Sequence, residues 1–152
     1  MNEVFNKHVT RVKKHFDALN REATRPIVGT TYPQCPAVYV FFERKKPIHV
    51  GRTNKLRRRI LGHRGQSHYS ATFTFKETRR LTNNRKASYK KTGSRVELMK
   101  NPLFRREFDK QRKRLHRFGI KFLVLEDPID QYLLELYAAL EYKTSLTEFH
   151  NH

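Results

Sequence analysis

The chain has 152 residues, enough for one compact domain with attachments and too few for several. Its 37% hydrophobic and 12% aromatic content excludes a disordered polyelectrolyte, because that much apolar surface can close a core. Lys and Arg number 33 against 14 Asp and Glu, and the resulting +19 makes a polyanion, nucleic acid first, the expected partner.

Between Asn2 and Asn20, apolar residues Phe5, Val9, Val12, Phe16 and Leu19 recur at helical spacing, which predicts one helix with an apolar seam. The seam either docks on the domain or pairs with a second copy, so a homodimer through this helix stays open. "TRPIVGTTYPQCP" follows, and its prolines and glycine predict an irregular linker that ends an N-terminal attachment over residues 1–36.

Residues 37–42 and 47–51 are β-branched and aromatic and flank "ERKK", which predicts an antiparallel hairpin with a charged loop. Thr53 or Asn54 then caps a helix whose Leu56 and Ile60 face inward, with Arg59 and His63 on a second stripe. The basic stretch 65–116 divides into a helix near 72–82, a polar loop "NNRKASYKKTGS", and a helix launched by Asn101-Pro102. "IKFLVLED", 120–127, is the strongest strand signal, and Asp127-Pro128 starts a helix to about Lys143. The expected fold is α/β (α+β): a small three-stranded antiparallel sheet flanked by helices, spanning 37–152 with a basic helical insertion.

Other features set limits. Cys35 is the single cysteine, so one chain cannot build an internal disulfide or a cysteine-rich zinc site. The eight histidines are scattered. No apolar run approaches the length of a bilayer-spanning helix and the N-terminus lacks a signal-peptide core, so an intracellular protein without membrane partners is expected, nucleoid-associated if bacterial.

"AVY" at 37–39, "HVG" at 49–51 and "LRRRILGH" at 56–63 resemble the GIY-YIG endonuclease module, including the nuclease domain of excision-repair incision enzymes and, more loosely, GIY-YIG restriction enzymes. The specific part is the spacing: Tyr39 to His49, His49 to Arg59, and Arg59 to His63 match the two motif tyrosines, the helix arginine and the tyrosine or histidine one turn later. The resemblance implies a late-helix glutamate holding one divalent metal, Mg²⁺ or alternatively Mn²⁺, and Glu135 stands at that place. It covers about residues 37–147. Ala37 replaces the first glycine, His49 the second tyrosine, and Thr147 an asparagine common near the chain end.

The chemistry also follows from the residues. Phosphodiester hydrolysis needs a water nucleophile, a counter-charge on the phosphate and help for the leaving oxygen. Glu135 is the one charge between Tyr132 and Leu140, and a single carboxylate suffices for Mg²⁺, which keeps several waters. Arg59 offers the scissile phosphate a planar, always-protonated fork. Tyr39 is placed to orient or deprotonate the water, and the His49 imidazole is chemically better suited to act as base near neutral pH. His63 is placed to hydrogen-bond the phosphate or a metal-bound water.

Lys55, Arg57, Arg58, Arg79, Arg80, Arg85, Lys86, Lys90 and Lys91, with Tyr89 among them, suit contacts to a nucleic-acid backbone. The leading expectation is a metal-dependent endonuclease acting on DNA, duplex in form, of restriction, repair or mobile-element type. A non-catalytic nucleic-acid-binding domain on the same scaffold and a basic ribonucleoprotein structural protein are the alternatives.

Overall fold

The computed structural model describes residues 1–84, 94–146 and 149. They form an α+β fold with six helices and a four-stranded antiparallel sheet, divided into two compact units: residues 1–57 with 118–152, and residues 58–117. No described helix is long and apolar enough to cross a membrane.

The first unit opens with helix α1, Glu3–Arg21, whose N-cap Asn2 accepts a hydrogen bond from the Phe5 amide. The apolar seam divides in two. Val12, Phe16 and Leu19 are buried, but Phe5 and Val9 are 45% and 41% exposed, and the inward position one turn before Val12 belongs to His8. The buried half docks on the C-terminal helix α6, Pro128–Glu141, with Phe16 edge-on to Tyr137 at 5.2 Å between ring centroids.

The sheet order is β1-β4-β2-β3, formed by Arg25–Pro26, Gly119–Val124, Ala37–Glu43 and Lys46–Thr53. The expected three strands are thus four. Strand β1 comes from the linker read as irregular: Arg25 and Pro26 pair with Ile120 and Gly119. A proline is tolerated there because β1 is an edge strand and one side of its backbone needs no partner. Strands β2 and β3 join through Arg44 and Lys45, both at positive φ, as a two-residue turn of the primed type requires. A bulge at Ile48 lies between the pairs Phe41–His49 and Phe42–Pro47.

Alternation along β2 sorts the hairpin into two faces. Val38, Val40 and Phe42, with Val50, pack against Leu134, Ala138 and Ala139 of α6 and against Phe16 and Leu19. Tyr39 and Phe41 point the other way, and with His49, Phe118, Tyr32 and Phe122 they make an aromatic layer with centroid separations of 5.2 to 6.1 Å.

Helix α2, Leu56–Arg64, begins in the first unit and continues in the second. Its start is capped by Thr53 Oγ1, which accepts from the Lys55 amide at 3.0 Å, and Leu56 and Ile60 are fully buried as their spacing predicts. The second unit adds α3, Thr72–Leu81, α4, Arg95–Lys100, and α5, Pro102–Leu115. Phe75, Met99, Phe104 and Phe108 form its core with Ala71. Arg112 and His116 close the end of α2 from α5, donating to the Arg64 carbonyl at 3.2 and 2.9 Å. Helix α4 was not expected from the sequence, although Ser94 caps it by accepting from the Glu97 amide, a Ser-x-x-Glu start.

Candidate active site

Strand pairing sets the geometry around the hairpin. Tyr39 lies opposite Gly51, and a Cβ built at Gly51 would fall on the Tyr39 ring, so glycine is required for the phenol to lie across β3. His49 sits two residues earlier on the same face, its ring 6.0 Å from Tyr39 and 5.3 Å from Phe41. Two of the expected site residues are thereby brought together. Tyr39 is almost wholly buried, and His49 is half-buried.

Glu135 belongs to the helix packed on the opposite, aliphatic face of β2, so the structure does not bring it together with Tyr39 and His49. Its Oε2 accepts from Arg52 Nε at 3.2 Å, with the carboxylate side chain 12% exposed. The Arg52 guanidinium in turn lies 3.5 Å above the Tyr132 ring centroid, one helical turn before Glu135. Arg52 and Tyr132 surround Glu135 and were not singled out from the sequence. The signal available was position: Arg52 directly follows the "HVG" glycine. Arg52 already supplies a cation to this carboxylate, as Arg11 does to Asp130, so a divalent ion at Glu135 would have to share it with the guanidinium.

Arg59 and His63 stand on α2 in the second unit. Arg59 Nη2 donates to Thr72 Oγ1 at 2.9 Å, and His63 is fully buried. Among the proposed backbone contacts, several have structural duties. Arg57 Nε donates to the Tyr32 carbonyl at 2.8 Å, Arg79 Nε to the Asn84 carbonyl at 2.6 Å, and Arg80 pairs with Glu77 at 2.8 Å. Lys55 and Arg58 are exposed. Arg85, Lys86, Tyr89, Lys90, Lys91 and Thr147 lie outside the described residues. Nearby, burial first, then the charges of Arg95 and Arg105, push the His68 imidazole below its ordinary value and so favour its neutral form.

A second polar cluster ties α1 to α6. His8 Nδ1 and Arg11 Nη2 both reach Asp130 Oδ1, at 2.6 and 3.1 Å, and His15 Nε2 lies 3.4 Å from Oδ2. Nδ1 also lies 2.8 Å from Arg11 Nη2, but it cannot donate to a carboxylate and accept from a guanidinium at once; the charge on Asp130 favours donation. Burial alone pushes the Asp130 carboxyl up, yet the bonds from His8 and Arg11 and the charges of Arg11 and His15 outweigh it and hold it below its usual value. His8, Asp127 and Asp130 offer ligand atoms within 4.8 Å of one another, the one such metal-ligand group among the described residues. Arg11 already supplies a cation to that cluster, which reads as a clasp between helices.

No family model, curated protein or solved structure matches the chain.

Proposed function

We propose that the chain is a metal-dependent DNA endonuclease with a GIY-YIG-type site. The observation that carries the reading is the hairpin face, where the Tyr39 phenol lies across Gly51 beside the His49 ring. A buried carboxylate held at 3.2 Å by an arginine that directly follows that glycine adds to it.

In this reading Glu135 would hold Mg²⁺ or Mn²⁺, which would supply charge neutralisation on the phosphate, although Glu135 lies on the face of β2 opposite to Tyr39 and His49. Arg52 orients the carboxylate, Arg59 is assigned to the scissile phosphate, and His63, fully buried, braces α2 and cannot reach a phosphate from solvent. His49 takes the proton of the attacking water, and Tyr39 orients it. The +19 charge draws the duplex in.

One observation favours a second reading. Glu135 already has Arg52 as counter-ion, an arrangement that a non-catalytic binding domain on the same scaffold would also have.

The test is supercoiled plasmid incubated with the protein in Mg²⁺ or in EDTA, with His49→Ala and Tyr39→Phe alongside. Nicking that needs metal and is lost in His49→Ala supports the enzyme and the base assignment. Cleavage lost in Tyr39→Phe and kept in His49→Ala reverses the two roles. A plasmid shifted but uncut in both Mg²⁺ and Mn²⁺ overturns the enzyme reading in favour of the binding domain.

A further inference from the structure

We infer that the outward face of α5 is a phosphate-tracking surface for duplex nucleic acid, with Arg106, Lys110, Lys113 and Arg117 as its cations. The partner's class rests on the function proposed above; the surface rests on its own geometry. Their spacing of four, three and four residues sets the cations along one side of a helix, with Arg117 just past its end. All four are exposed, and with Arg105 and Asp109 they line a shallow depression that starts at Pro102.

The charge on this face is uncompensated. Among the described residues, none of the four has a carboxylate within ion-pairing distance, and Asp109 is the single acid beside five cations. Arg114 on another side of the same helix shows the contrast: Glu77 holds it at 3.3 Å and Gln111 at 3.0 Å. Arg114 is thus held within the unit, whereas the cations on the α5 face are left to an external anion.

Three features decide which anion. The apolar side of α5, Phe104 and Phe108, is buried against Phe75, so the helix has no hydrophobic face to lay into a bilayer. Arg106 to Arg117 extends over about 16 Å at the helical rise of about 1.5 Å per residue. One strand of B-form DNA advances about 3.4 Å per phosphate along the duplex axis and farther along its own winding path, so a stripe of this length meets a few successive phosphates of a rigid backbone. The side chains are all cationic, which suits positioning on the backbone and not base readout.

The test uses the full chain in EDTA, so that binding is read without cutting, and measures affinity for a short labelled duplex across a salt series. The variant is Arg106→Gln/Lys110→Gln/Lys113→Gln, whose exposed positions leave the core untouched. Three lost contacts at about 0.9 each should flatten the slope of log K against log salt by about 2.7, with unchanged melting temperature. Lys110→Gln and Lys113→Gln alone should each flatten it by about 0.9, which keeps the test usable if the triple variant misfolds. An unchanged slope in the triple and single variants overturns the inference. So does wild-type binding to phosphatidylserine vesicles that exceeds duplex binding at equal phosphate and is lost in the triple variant. Duplex binding with the expected slopes in a protein that never nicks plasmid in Mg²⁺ sustains the surface while removing the enzyme.

Discussion

Helix α6 carries two buried carboxylates five residues apart, and their surroundings differ. Asp130, 6% exposed, is met by three side chains of α1: His8, Arg11 and His15. Glu135, 12% exposed, is met by Arg52 from the end of β3, itself laid over Tyr132. The first is surrounded by donors from one neighbouring helix and works as a fastener. The second has one charged partner, an arginine braced on an aromatic ring, and is the carboxylate to which the proposed function assigns the chemistry. Function and stability should therefore separate between these two residues of the same helix.

The largest expected effect tests that separation at Glu135. Glu135→Gln keeps the shape and removes the charge; plasmid nicking should fall at least about 100-fold, the scale for deleting one electrostatic contributor to a transition state. Circular dichroism should show a smaller drop in melting temperature than for Asp130→Asn, because Glu135 has one charged partner where Asp130 has several. Loss of activity together with loss of fold would erase the distinction from Asp130.

Next comes Asp130→Asn, which should cost about 2 kcal/mol of stability, the range for hydrogen bonds to a charged group, with the rate per folded molecule unchanged. The folded carboxyl titrates below its ordinary 3.8, so its contribution is present above that value and disappears as pH falls through the folded pKa. Denaturant titrations from neutral to acid pH should show a shallower acid-side loss in the variant. An identical acid limb in both proteins would mean that the clasp does not couple to protonation.

Arg52→Gln should lower nicking about tenfold, the smaller end of the range for residues that orient a metal ligand, with partial recovery at higher Mg²⁺. A rate unaffected at any Mg²⁺ would leave Arg52 as packing alone. His15→Gln is expected to have the smallest effect, under about 1 kcal/mol by thermal melt, because its 3.4 Å approach to Asp130 adds charge to a pair already bonded twice. A loss as large as that of Asp130→Asn would move the centre of the clasp to His15.

Much of the scaffold was legible because its signals are local. The aromatic and β-branched hairpin, the seam of α1 and the Asp127-Pro128 start of α6 each depend on neighbours a few residues away. Strand β1 escaped because two residues with a proline carry no period, and their strand character comes from pairing with β4. The clasp escaped for the same kind of reason: His8 and Asp130 are 122 residues apart. The α1 seam, left open between docking and pairing, divides: Val12, Phe16 and Leu19 dock on the domain, while Phe5 and Val9 stay exposed and His8 takes the inward place that reaches Asp130.

The candidate site divides along similar lines. The Tyr39–His49 pairing on one hairpin face was legible from spacing, and the Arg52–Glu135 pair was not, because it joins β3 to a helix about 80 positions later. The α5 face was overlooked because charge density drew attention to the stretch from Arg79 to Lys91. Spacing along a helix, and not density, sets Arg106, Lys110, Lys113 and Arg117 on one side.

The most direct measurement compares initial rates of supercoiled-plasmid nicking in Mg²⁺ for Glu135→Gln and Asp130→Asn, each at equal concentration of folded protein. The expected result is near-complete loss in the first and a wild-type rate in the second. Equal rates in the two variants, whether both cut or neither does, would contradict the assignment of chemistry to Glu135 and of fastening to Asp130.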